Sequence, residues 1–159
     1  MKKTILGIDV GATGALSFYN KDELIIYDMP VFERNKTTRV DCHYLAKILE
    51  DNAADHAWIE QVNSFGMGAG SAFNFGWNCG CIEAVLSTIG IPFSYVTPQV
   101  WKKDLSVPTD KNATKNKNMA RMRATQLLPQ FAHNWDKSKH HNRAEASLIA
   151  LYGYNKTPA

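Results

Sequence analysis

Asp9 stands in the run TILGIDV, between Ile8 and Val10, where the pattern predicts a core strand. Aspartate is depleted in strands, and a charge in a core costs several kcal/mol unless it is paired or holds a metal. Glu60 repeats the anomaly behind Trp58 and Ile59 in AWIEQV. One misplaced acid can be a strand-end side chain accepting backbone hydrogen bonds. Two, on strands that could be sheet neighbours, make a site. Such a pair repels unless a cation sits between the acids. Oxygen donors with few nitrogens favour magnesium or manganese over zinc. Glu145, in HHNRAEASLIALYG, is the third acid, in the first turn of a predicted final helix. There it could face the sheet edge or simply complement the helix dipole. His141 lies four residues earlier, on the same face if the helix reaches back that far. It is a candidate ligand or proton donor. Asn142, three residues before Glu145, competes as ligand or N-cap. His140 and Asp136 are the remaining candidates nearby.

The elements that must position these groups follow from periodicity and turn residues. Strands are predicted over 4–10, 15–19 and 23–28, joined by a small-residue turn (11–14) and by Asn20-Lys21-Asp22. Short turns between three strands make an antiparallel meander. A polar loop over 33–40 leads to a helix at about 41–54 with Asp41 as N-cap. Then come a strand at 57–62, a glycine-bearing loop at 63–72 and a long helix at about 71–89. Its Ala72, Gly76, Gly80 and Ala84 permit close packing against another helix or a second copy of itself. A fifth strand spans 91–96, and Thr97-Pro98 opens a short helix through Trp101. A basic helix runs from about 113 to 128, where Pro129 stops it. A polar loop at 130–141 precedes a final helix from Asn142 or Arg143 to about Tyr152. The order predicts an α/β fold: a five-stranded mixed sheet flanked by helices.

A chain of 159 residues with 45% hydrophobic and 21% charged residues predicts one globular domain over 1–159, and excludes a disordered chain, a coiled-coil rod or a collagen-like repeat. No apolar run approaches the ~18 residues needed to span a bilayer. The short apolar stretch before Asp9 is no signal-peptide core, so a cytoplasmic protein is expected. Cys42, Cys79 and Cys81 have no zinc-site spacing and read as free, mostly buried thiols. Charge is uneven. Residues 1–101 carry 7 basic and 11 acidic side chains, and residues 102–159 carry 11 and 4. A basic last third is either a solvated face or the footprint of a phosphate backbone.

Taken together, GIDVGATGAL, then IEQV, then a C-terminal helix with an acid behind a histidine resemble the RuvC family of Holliday junction resolvases, within the RNase H-like nucleases. The likeness is to its bacteriophage and prophage-type members, and it spans nearly the whole chain. The glycine- and serine-bearing loop after Glu60, the TPQVWKK segment and the basic helix also match. The resemblance implies an RNase H-like fold and a homodimer that cuts four-way DNA junctions in pairs, in a bacterial host cytoplasm if phage-encoded. It implies hydrolysis with two Mg²⁺ or Mn²⁺ ions, Asp9 bridging both, Glu60 holding one, and Glu145 with His141 or Asn142 holding the other. The family usually has Asp or His where this chain has Asn142, which leaves the fourth ligand between Asn142 and His141, with His141 the favoured substitute. Lys102 or Lys103 would contact the scissile phosphate. Lys111, Lys115, Lys117, Arg121 and Arg123 would line a DNA arm, and Phe65 would wedge between bases at the junction centre. Alternatives are another RNase H-like nuclease acting on structured RNA or branched DNA, and a non-catalytic junction-binding module. An actin-like ATPase shares the strand-turn signature but needs far more chain.

Overall fold

The structure, a computed structural model, describes residues 2–158. Its centre is a five-stranded sheet in the order β3-β2-β1-β6-β7. β1 (Ile5–Asp9), β2 (Ala15–Tyr19) and β3 (Leu24–Asp28) form the predicted meander. After β4 (Val31–Arg34), β5 (Thr37–Val40) and α1 (Cys42–Asn52), β6 (His56–Glu60) returns parallel to β1, and β7 (Phe93–Val96) adds parallel to β6. α2 (Ala69–Ile89) links those two strands. α3 (Pro98–Asp104), α4 (Ala113–Leu127) and α5 (His141–Lys156) complete the chain.

Alternate residues of a strand point to opposite faces, so the sheet has two cores. Leu6, Ile8, Leu16 and Phe18 pack under α1 and α2 against Leu45, Leu49, Ile82 and Leu86. On the other face α5 and α4 bury Ala144, Leu148, Ala120 and Ala124 around Trp101 and Trp135. α5 lies unusually close to β1. A Cβ on Gly7 would collide with the backbone of Ala146 and Ala150, so only glycine admits the helix there. A buried hydrogen bond of 3.1 Å joins Ser17 on β2 to Ser147 on α5.

Three predicted segments differ. The polar loop at 33–40 is a β-hairpin, β4 paired antiparallel with β5. Asn35 and Lys36 both take positive φ, 49° and 59°, the turn geometry that matches hairpin twist. Asn78 of α2 straps the hairpin down, accepting from the Val40 N–H at 3.0 Å and donating to the Thr38 carbonyl. The loop at 130–141 contains two short 3₁₀ turns, Pro129–Trp135 and Ser138–His140. Burying Trp135 fixes the first of them. α5 starts at His141 and continues to Lys156, a turn past Tyr152. Tyr152 and Gly153 pack on Trp58 and carry the helix onward. The three cysteines are free and half-buried. Among the described residues no helix is long and apolar enough to cross a membrane.

Candidate active site

The parallel register pairs Ile8 with Ile59, so one step further Asp9 and Glu60 stand side by side at the carboxyl ends of adjacent strands. Both project to the face that α5 covers, since they share a parity with Gly7 and Trp58. The turn after Asp9 folds back tightly: a Cβ on Gly14 would strike the Asp9 carbonyl. α5 brings the third acid. Glu145 precedes Ala146, which rests on Gly7, and the carboxyls of Asp9 and Glu145 come within hydrogen-bonding reach.

Burial, then the charges of Glu145 and Glu60, push Asp9 well above the usual carboxylate range. Burial also raises Glu60 and Glu145. Opposing this, the Trp101 indole N–H donates to Glu60 Oε2 at 2.8 Å, and the Lys102 ammonium favours the charged form of all three acids. Lys117, from α4, does the same for Glu145. Asp9 Oδ2 is buried without a hydrogen-bond partner.

Three hard carboxylates around an unpartnered oxygen fit a divalent cation of the magnesium type, which takes a few carboxylates and keeps positions for water and phosphate. The set is open: among the described residues no three His, Cys, Asp or Glu side chains close into a metal cage.

The other candidates are distributed around this cluster. α5 does include His141, but its Nδ1 lies 3.3 Å from the Ser138 carbonyl, and Lys117 and Arg121 are its charged neighbours. The Asn142 amide donates to the Thr13 carbonyl in the turn after β1. His140 Nδ1 lies 3.9 Å from Asp136. Lys102 joins the acids, whereas Lys103 is exposed on the next step of α3. Lys111 and Lys115 are exposed at the start of α4. Arg121 and Arg123 are partly committed inside the fold, Arg121 to the carbonyls of Trp135 (3.0 Å) and Asp136 (2.6 Å), Arg123 to that of Leu105 (2.7 Å). Phe65 is 90% exposed in the loop between β6 and α2. Trp101 is the site residue that sequence reasoning passed over. Its signal was the tryptophan inside TPQVWKK, one step before the lysines that drew notice.

Superposed on solved structures, the chain matches Thermus thermophilus RuvC in complex with a Holliday junction substrate with a TM-score of 0.59 at 14% identity, over 96% of each chain. The fold is RuvC-like. Fowlpox virus resolvase with its Holliday junction DNA gives 0.59 at 11% identity, covering 96% of this chain and 97% of that one. The yeast mitochondrial Holliday junction resolvase gives 0.57 at 14%, covering 95% and 77%. No protein-family model and no curated protein matches the sequence. The likeness therefore establishes the RuvC-like RNase H architecture of the sheet and its helices, and nothing in it bears on a phage origin.

Proposed function

We propose that this chain is a structure-selective endonuclease that resolves four-way DNA junctions by paired phosphodiester hydrolysis, working as one nuclease domain over residues 1–159. The observation that carries the reading is the convergence of Asp9, Glu60 and Glu145 from β1, β6 and α5 around a buried, unpartnered Asp9 oxygen, on a RuvC-like fold. Two Mg²⁺ or Mn²⁺ ions held there would supply an activated water and neutralise charge on the leaving oxygen. On this reading Asp9 would be shared between them, Glu60 would hold one, and Glu145 with His141 or Asn142 the other. Trp101 fixes the Glu60 carboxylate, and Lys102, with Lys103 beside it, meets the phosphate.

Phe65, on its exposed loop, is the wedge at the junction centre. Lys111, Lys115, Lys117, Arg121 and Arg123 follow one arm through its phosphates, which adds salt dependence rather than sequence choice. Two equivalent strands call for a two-fold dimer. The outer face of α2, with Phe73 and Trp77 exposed and open space over Gly76 and Gly80, is the surface for it.

The test is metal-dependent cleavage of a synthetic four-way junction, with linear duplex and structured RNA as controls. Paired nicking of the junction, lost in Asp9→Asn while binding persists, supports the reading. Absence of metal-dependent junction cleavage, or equal cutting of the duplex, overturns it. His141→Ala should lose most activity and need more metal, and Asn142→Ala should cost only its hydrogen bond to the Thr13 carbonyl, roughly 1 kcal/mol. A swap of these phenotypes assigns the ligand to Asn142.

A further inference from the structure

Beside the carboxylates, between the β1–β2 turn (12–14) and the start of α5, lies a cleft of about 540 Å³. Its lining is one-sided in charge. Lys117, Lys139, His140, His141 and Arg143 face it, and the one acid among its described lining residues is Asp28. Arg143 already takes that acid in a two-pronged pair, 2.8 and 2.7 Å. The Arg143 pair holds Asp28 below the usual carboxylate range, so it stays charged and spent on the arginine. His140 has Asp136 at 3.9 Å from its Nδ1 and His141 has the Ser138 carbonyl at 3.3 Å, whereas Lys117 and Lys139 make no ion pair among the described residues.

Two further features point the same way. The first turn of α5 contains no acidic side chain and its N-cap supplies no side-chain acceptor, so the helix start is uncapped. His140 Nδ1 is buried without a hydrogen-bond partner. A cleft with this lining is short of an anion with several acceptor oxygens. Its wall continues into the acid cluster, because Lys117 acts on Glu145 and Asn142 joins the β1–β2 turn.

We infer that this cleft holds a backbone phosphate of the nucleic-acid strand next to the one being cut, with Lys139, His140 and the start of α5 as positioning groups. The inference rests on the nuclease reading for the identity of the strand. The binding chemistry, a phosphate met by lysine, imidazole and helix-start N–H groups, stands without it. Clamping a neighbouring phosphate fixes the register of the strand over Asp9, to which Lys117 in the same lining is linked through Glu145.

Two measurements test it. Inorganic phosphate titrated into ¹⁵N-labelled, metal-free protein should give saturable shifts at the amides of His141, Asn142 and Arg143 and in the 12–14 turn. Lys139→Gln should weaken that binding about three- to fivefold, the effect of one exposed charge, and Lys47→Gln on α1 should leave it unchanged. Binding is then measured for junctions carrying a single neutral methylphosphonate at successive positions flanking the cut. One position should weaken wild type and leave Lys139→Gln no weaker than it already is. No saturable shift overturns the cleft as a phosphate site. Phosphate binding with penalties that add at every position overturns the strand assignment, leaving a free-anion site. If wild type neither binds nor cuts the junction, the proposed function falls, and the phosphate titration still decides the cleft.

Discussion

Asp9 lies at the bottom of the acid cluster, surrounded by groups that resist its ionisation. Its raised proton affinity has a thermodynamic sign. The native state binds protons that the unfolded chain releases, so without metal stability falls as pH rises from the ordinary carboxylate range through the raised values. Asp9→Asn removes the most buried charge and should stabilise metal-free protein at mildly alkaline pH by about 1–2 kcal/mol, roughly 2–8 °C in Tm for a chain of this size. Added Mg²⁺ should raise the wild-type Tm and leave that of the variant flat. Calorimetry across pH, with and without metal, checks both. Trp101 acts through Glu60. Trp101→Phe deletes the indole hydrogen bond and with it the stronger of the two contacts, the other being Lys102, that favour the charged form of Glu60. Mg²⁺ affinity should drop about 10–100-fold, read by isothermal titration. Asp9 and Glu60 were legible in the sequence because a charge inside an apolar strand violates local preference. Trp101 was not, because a tryptophan among apolar residues is what any core contains, and its partner is 41 residues away.

Strands and helices set the site through a few contacts between backbones. Parallel pairing of β1 and β6 aligns Asp9 with Glu60, and Gly7 lets α5 settle low enough for Glu145 to reach them. Gly7→Ala should push α5 outward, destabilising the fold by about 1–3 kcal/mol through overpacking. Junction cleavage should fall well beyond junction binding, measured side by side at a temperature where the variant remains folded. The order of elements and the sheet were legible because each core strand is a short apolar run between turn residues. The β4–β5 hairpin was not, because Glu33, Arg34, Asn35 and Lys36 look like solvent-facing loop. What makes it a hairpin is Asn78, which reaches Val40 from 38 residues away. α5 begins at His141, one or two residues before the expected start, since Asn142 is a good cap by type but its amide goes to Thr13 instead.

For the whole molecule, the acidic body and the basic last third meet at the site rather than at opposite poles, because α4 and α5 fold back over the sheet. The outer face of α2 is left with Phe73 64% and Trp77 51% exposed. An apolar helical face of that kind on a single chain marks an interaction surface. Sedimentation at micromolar concentration should show a dimer for wild type and a monomer for Trp77→Glu. The thermal stability of the monomer should be little changed, as the side chain is half in solvent. A monomeric wild type that still nicks both strands in concert would remove the dimer from the proposal.

The distance in sequence between Asp9 and Glu145 has a consequence for the protein while it is being made. The two acids are separated by 136 residues, and α5 closes over β1 only after almost everything between them has been synthesised. At translation rates of about 5–20 residues per second, the first strand waits roughly 7–27 s for its last acidic neighbour. Through that interval the growing chain displays basic and aromatic surface without a complete acid cluster. On the proposed function, an incomplete product stalled or clipped ahead of α5 would keep the basic residues of α4 but lack Glu145, and so would bind nucleic acid without cutting it.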